Sequence, residues 1–187
     1  MDSVEVSLDP ARRTHGVLPD LNEATSRGFG RESFLRAPVV QLAQELEGSQ
    51  GPAAAEAVVA QVGTDVGARI EEEYRLARQV VGDMASEVVA DCYVRLKLDG
   101  DFYVLEANED RIVLGNRQCP FGEVVQHAPT LCRMTSSVFG GIAARNFGDA
   151  SVILEQRIAV GDPECRVVVN LRPVAGEHGH RYGGATD

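Results

Sequence analysis

Tryptophan is absent from this chain, and aromatic residues make up only 5% of its 187 residues. The hydrophobic fraction is nevertheless 44%, so the core must be built mainly from aliphatic Val, Ala and Leu side chains. This length and apolar content suit one domain with a tail at each end. No apolar run approaches the roughly 20 residues of a membrane helix, and the N-terminus lacks an apolar signal core. We therefore predict a cytoplasmic protein that does not contact a membrane.

Basic residues are also scarce. The chain has 18 Lys and Arg against 28 Asp and Glu, which gives a formal net charge of −10. Binding to nucleic acid needs clustered Lys and Arg, so we predict no direct contact with it. The acidic run Glu71-Glu72-Glu73 is interpreted as a solvated helix face rather than a ligand set. Signatures of common hydrolases, nucleotide-binding enzymes and metalloproteases are missing as well, and we predict that the protein is not an enzyme.

The two ends of the chain lack a sustained hydrophobic period. We predict a disordered or weakly docked arm over residues 1–31, a single α+β domain over 32–173 and a flexible tail over 174–187. The tail contains His178-Gly179-His180. In a flexible tail this pair is interpreted as incidental solvated histidines rather than a metal chelate.

The middle of the chain shows helical periodicity. A first helix is predicted to begin at Pro38, or earlier at Ser33, and to end at Gly48. A second helix opens at Pro52, and a third covers about 77–97. These helices precede all the predicted strands.

The first two helices carry more apolar surface than a small sheet can cover. Gly63 and Gly67, one turn apart, predict a bend or a close approach of another backbone. Unpaired apolar surface usually marks an interface, so we predict an isologous homodimer through these helices. The apolar positions concerned are Val39, Leu42, Leu46, Val58, Val62, Val66 and Ile70.

Strand-like alternation begins at Phe102. One hairpin is predicted from Phe102–Glu106 and Arg111–Gly115, and a second from Ser151–Ala159 and Cys165–Arg172, with a helix over Pro129–Phe147 between them. The predicted fold is therefore α+β, with N-terminal helices packed on an antiparallel sheet of about four strands.

The chain has only four cysteines, and three of them fall at predicted element junctions. Cys119 precedes Pro120 after a strand, Cys132 lies in the first turn of a helix, and Cys165 begins the last strand. Backbone ends of this kind can meet, and the end of a helix is expected to lower the pKa of Cys132. Cys92 lies instead on an apolar helix stripe, where a thiol usually serves packing.

Three thiolates can form one face of a zinc site or hold three irons of a cluster. The spacing matches neither a C-x-x-C knuckle nor a ferredoxin run, so plain structural thiols remain an alternative. A fourth ligand is not obvious, and His127 and Cys92 are the main candidates, followed by Asp162, Glu164 and an exogenous thiol or small ligand.

The cysteine-bearing stretches resemble a known family of sensor domains. The residues that carry the resemblance are Cys119-Pro120-Phe121, Ala128-Pro129-Thr130-Leu131-Cys132, Ile142 and Gly161-Asp162-Pro163-Glu164-Cys165. They are similar to the C-terminal sensor domain of the Suf-operon repressors, to the methanogen output domain and, more distantly, to the four-vinyl-reductase ligand-binding domain.

The resemblance implies that Cys119, Cys132 and Cys165 hold a [4Fe–4S] cluster, with zinc as the alternative cofactor. The Suf repressors begin with a winged helix-turn-helix, which the arm before Ser33 is too short to supply. The expected function is therefore a stand-alone sensory domain that signals to a regulatory protein partner.

A second hypothesis is a small-molecule-binding or protein-interaction module in which the cysteines are structural. The residues expected to line its apolar pocket are Val88, Val89, Phe139 and Ile142.

Overall fold

The fold is that of a computed structural model, which describes residues 31–96, 102–172, 176 and 178–183. Its contacts separate Met1–Leu35 from Arg36–Asp187, and the packing below concerns the second unit. The arm predicted over residues 1–31 lies outside the described residues, except for Arg31. No helix within the described ranges is long and apolar enough to cross a membrane.

The described residues form four α-helices: α1 (Arg31–Gln50), α2 (Pro52–Arg78), α3 (Ser86–Arg95) and α4 (Cys132–Phe147). Three of them start at residues other than the predicted ones. Helix α4 starts at Cys132 rather than Pro129, because Pro129–Leu131 form a 3-10 turn before it. Pro38 lies inside α1 rather than at its start. Proline disfavours a helix interior because it lacks an N–H, but the buried side chains of Val40 and Ala43 hold this helix against the rest of the unit. The helix predicted over 77–97 begins only at Ser86, because α2 continues to Arg78 and ends in a left-handed residue, Gln79.

The sheet is antiparallel and has five strands in the order β1-β2-β4-β3-β5. The strands are β1 (Phe102–Ala107), β2 (Arg111–Asn116), β3 (Asp149–Gln156), β4 (Cys165–Asn170) and β5 (His180–Gly183). Both predicted hairpins are present with α4 between them, which confirms the α+β prediction. The fifth strand lies in the segment predicted to be a flexible tail, where it pairs with β3.

Helix α4 is buried on all sides, since every residue from Ser136 to Ala144 is buried. One side of the helix packs against α2 and another against β3 and β5. Gly63 and Gly67 of α2 make the first contact possible, because a Cβ at Gly63 would lie 2.5 Å from the carbonyl oxygen of Met134. The predicted close helix crossing is thus confirmed, within one chain.

A buried ion-pair network reinforces the crossing of α2 and α4. Glu71 is only 4% exposed, and its carboxylate accepts hydrogen bonds from Arg75, Arg145 and Asn146 at 2.9, 2.6 and 2.8 Å. The interpretation of the acidic run as wholly solvated was therefore wrong for Glu71. Three donors compensate for the desolvation of this carboxylate.

We expect Gly63→Ala to lower the free energy of unfolding by about 1–3 kcal/mol, because the new methyl group would overlap α4 backbone that cannot move cheaply. Gly48→Ala in α1 is the matched control, because a Cβ there meets nothing within 4 Å. Urea denaturation measures both. Equal midpoints for the two variants would contradict the close packing of α2 on α4.

Candidate functional site

Three element ends bring three cysteines towards one region. Cys119 lies in a tight turn after β2. The carbonyl oxygen of Cys119 accepts a hydrogen bond from the N–H of Gly122 at 2.9 Å. Cys132 is the first residue of α4, and Cys165 is the first residue of β4. The junction positions predicted from the sequence are confirmed.

All three cysteines line a single cavity of about 30 Å³. This volume is enough for one ion or about one water molecule. The other lining residues are Phe102, Asn116, Pro120, Phe121, Thr135, Leu154, Gln156, Arg157 and Val167.

The cavity lies where two hydrophobic clusters meet. Phe102 and Val167 belong to the large cluster between the helices and the sheet. Cys119 belongs to a smaller cluster with Val40 and Ala43 of α1. A movement of Cys119 in the cavity wall would therefore alter the packing of α1.

The four cysteines are free thiols. Within residues 31–96, 102–172, 176 and 178–183, no group of three or more His, Cys, Asp or Glu side chains is arranged to hold a metal ion. The three thiols of the site thus share the wall of one cavity, and coordination of a single ion would require them to move closer together.

The electrostatics of the site favour neutral thiols. Burial, followed by the charges of Cys119 and Cys165, raises the pKa of Cys132 to about 12. Burial also raises the pKa of Cys119 and of Cys165. The expected lowering of the Cys132 pKa by the helix end was wrong, because desolvation outweighs the dipole of α4.

Several groups around the cavity nevertheless oppose the rise in the thiol pKa values that burial causes. Burial raises the pKa of Cys119, and hydrogen bonds from the backbone at Phe121 and Gly122 offset only part of that rise. The backbone N–H of Ile158 donates to Cys165 Sγ at 3.4 Å. Burial raises the pKa of Cys132 and of Cys165, and the guanidinium of Arg157 offsets part of that rise. These donors would stabilise thiolates once a cation had displaced the thiol protons.

Asn116 is a lining residue that the sequence analysis missed. The side chain is fully buried, and its Oδ1 accepts a hydrogen bond from the N–H of Gln118 at 2.7 Å. The Nδ2 group is buried without a partner among the described residues. An unpaired buried donor costs about 1–3 kcal/mol. The signal available in the sequence was a polar residue at the end of an apolar strand, just before the Cys119-Pro120 turn.

A second cavity of about 210 Å³ adjoins the cysteine cavity, and Cys132, Leu154 and Arg157 line both. Its other walls include Arg133 and His180. Burial, then the charge of Arg133, lowers the pKa of His180 below its usual value. The interpretation of His180 as an incidental solvated histidine was wrong, because β5 fixes it beside the cysteine site.

The two main candidates for a fourth ligand lie away from the cavity. His127 is exposed, and its carbonyl oxygen accepts a hydrogen bond from Gln44 Nε2 at 3.2 Å. Cys92 lines a different cavity of about 480 Å³ between α2 and α3, and burial raises its pKa to about 12. Neither residue is among those that line the three-cysteine cavity.

The residues proposed for an apolar pocket belong to the core. Val89, Phe139 and Ile142 are fully buried members of the large hydrophobic cluster, and Val88 packs against it. The cavity between α2 and α3 is instead lined by Ile70, Glu73, Tyr74, Ala77, Arg78, Cys92, Arg95 and Leu96.

Two solved proteins of different roles share the fold of this chain. The phenol-responsive sensory domain of the transcription activator PoxR, solved with phenol, matches with a TM-score of 0.59 and 15% identity, over 72% of this chain and 73% of that chain. Trafficking protein particle complex subunit 3 from Naegleria fowleri, covalently bound to palmitic acid, matches with a TM-score of 0.51 and 13% identity, over 77% of this chain and 95% of that chain.

The profile of the family described as methanogen output domain 1 matches residues 38–170. The chain therefore belongs to the methanogen output domain 1 family, which confirms that part of the resemblance. No curated protein sequence matches the chain.

We expect Cys92 and Cys132 to react slowly with iodoacetamide at pH 8 in the folded, metal-free protein. A pKa of about 12 in place of 9.0 leaves about 1,000-fold less thiolate, which is the reactive form. Labelling is followed by mass spectrometry, with the urea-unfolded protein as the control. Labelling of Cys132 at the same rate in folded and unfolded protein would contradict its burial.

Proposed function

We propose that this chain is a sensory domain which holds an iron–sulfur cluster of the [4Fe–4S] type through Cys119, Cys132 and Cys165. The observation that carries the proposal is the placement of three thiols, from three separate element ends, on the wall of one cavity. Soft thiolates suit iron–sulfur clusters and zinc better than hard cations. Backbone N–H groups and the spare donor of Asn116 surround the same cavity, as a negatively charged sulfur centre requires.

A cluster supplies sensitivity to oxidants and to iron supply, and this chain supplies the ligands and their surroundings. At about 30 Å³ the cavity must widen to admit four irons. The turn at Cys119 and the loop before Cys165 are the parts of the wall best able to move, since connecting segments move more readily than helices and strands.

Zinc, bound by the same cysteines, is the second candidate for the cofactor. The small volume of the cavity favours it, because a single ion needs less widening of the wall. With zinc the site would be structural, and the proposed redox role would fall away.

The route by which the site would signal runs through α1. Val40 and Ala43 pack in one cluster with Cys119. Two hydrogen bonds tie α1 to the segment between the cysteines: Gln44 Nε2 donates to the carbonyl oxygen of His127 at 3.2 Å, and Thr130 Oγ1 donates to Glu47 Oε2 at 3.4 Å. Loading of the cavity would thus change the packing of a surface helix.

The remaining parts of the proposal concern partners. We propose a non-enzymatic, cytoplasmic protein that acts on a regulatory protein partner rather than on nucleic acid or membrane, in keeping with its net charge of −10.

The homodimer also remains a proposal. Gly63 and Gly67 pack against α4 of the same chain. The proposed dimer interface is therefore supported by the exposed side chains of Leu42, Val58 and Val62.

A small-molecule-binding module with structural cysteines is the alternative function. The observation that favours it is the cavity of about 480 Å³ between α2 and α3, which the three cysteines do not line.

Purified without oxygen and reconstituted with ferrous iron and sulfide, the wild type should bind about four irons per chain and absorb visible light. Replacing Cys119, Cys132 and Cys165 together by Ser should abolish both. Cys92→Ser is the matched control and should keep both, since Cys92 lies outside the cavity. A colourless, iron-free wild type would overturn the cluster, and zinc at one per chain would favour the second candidate.

Loading the site should also slow amide hydrogen exchange about tenfold in residues 38–48 of α1, because ligand binding stabilises the segments that pack on the site. The turn at 108–110 between β1 and β2 serves as an internal control, since it is exposed and opens locally. Exchange in α1 that is the same with and without the centre would contradict the proposed route.

A further inference from the structure

Asn116 is the last residue of β2, and the two polar atoms of its buried side-chain amide differ in their hydrogen bonding. The Oδ1 atom serves the fold, because it accepts the hydrogen bond from the N–H of Gln118 at 2.7 Å. The Nδ2 group serves no described residue, although the side chain is 0% exposed and lines the three-cysteine cavity. Within residues 31–96, 102–172, 176 and 178–183, it is the one buried side-chain nitrogen or oxygen without a partner.

The strand register places this amide beside a cysteine. Asn116 lies directly opposite Cys165 in the antiparallel pairing of β2 with β4. Directly paired residues project from the same face of a sheet, with Cβ atoms about 4.5–5.5 Å apart. The spare donor therefore belongs to the same wall as the Cys165 sulfur.

We infer that Asn116 is a positioning residue whose Nδ2 donates a hydrogen bond to the sulfur of a centre held in this cavity, either the Cys165 thiolate or a bound sulfide. The inference rests on the proposed function. A hydrogen bond to an anionic sulfur is charge-assisted and stronger than one to a neutral thiol. Its contribution therefore arises only once the centre is bound, and groups around metal ligands commonly change retention of the metal 10- to 100-fold.

The choice of asparagine supports this assignment. An aspartate has the same shape and would keep the bond from Gln118, so the fold does not require the Nδ2 group. What aspartate lacks is the donor, and its carboxylate would repel the three thiolates. A carboxylate could alternatively attract a metal cation, so the sign of the effect in Asn116→Asp distinguishes donation to sulfur from simple attraction of charge.

The test uses Asn116→Asp and Asn116→Leu, the second of which removes the donor without adding charge. Asn170→Asp is the matched control, because Asn170 is also a buried asparagine on a central strand but bonds to Ser151 Oγ at 3.3 Å, outside the cavity. Each protein is loaded without oxygen, once with ferrous iron and sulfide and once with Co²⁺. The rate at which EDTA removes whichever centre the wild type holds is then measured by absorption.

We expect both Asn116 variants to lose the centre about tenfold faster than the wild type and Asn170→Asp. Loss at the wild-type rate in Asn116→Leu, or slower loss in Asn116→Asp, would overturn the role of Nδ2 while leaving the proposed function in place. A wild type that holds neither centre would overturn the proposed function, and the inference with it. Thermal unfolding of the metal-free variants identifies any protein that has failed to fold. If one of the two Asn116 variants fails to fold, the rate of loss from the other variant decides the outcome.

Discussion

The close packing of α4 between α2 and the sheet is the constraint on which the rest of the structure depends. A helix buried from Ser136 to Ala144 can be accommodated only if its neighbours approach closely, and Gly63 and Gly67 allow α2 to do so. The Glu71 network then ties the two helices together at the far end of α4. Because α4 cannot slide, its first residue, Cys132, has a fixed position relative to the strands that present Asn116 and Cys165.

The chemistry of the site follows from the same burial. Desolvation keeps the thiols protonated and raises the pKa of Cys132 to about 12. A soft cation reverses this preference, since it replaces the thiol protons and turns the surrounding N–H donors into favourable partners. The site as proposed would be poorly reactive without its centre and would be stabilised by it. The hydrogen bonds from the segment between Cys119 and Cys132 to α1 would then carry that difference to the surface.

The elements with strong local signals could be predicted from the sequence. Pro52 marked the start of α2, alternating apolar residues marked both hairpins, and Gly148 marked the end of α4. Elements decided by tertiary contacts could not. Pro38 falls inside a helix because that helix is held by packing, and β5 forms from a glycine-rich tail because the edge of β3 offers it partners.

The candidate site shows the same division. The junction positions of Cys119, Cys132 and Cys165 are local features, and their convergence could be inferred from them. The neutral state of the thiols, the approach of His180 and the unpaired amide of Asn116 depend on burial and strand register, which only the folded chain defines. The sequence marks Asn116 only as a polar residue at the end of an apolar strand, and it does not show that the amide has an unpaired donor.

X-ray absorption at the edge of the metal that co-purifies with the protein tests the central claim most directly. The account predicts a first coordination shell with at least three sulfur atoms, and iron–iron scattering if the centre is a cluster. The spectrum should be absent from protein in which Cys119, Cys132 and Cys165 are all serine. A shell of oxygen and nitrogen alone, or the same spectrum from that triple variant, would contradict the claim that these thiols hold one centre.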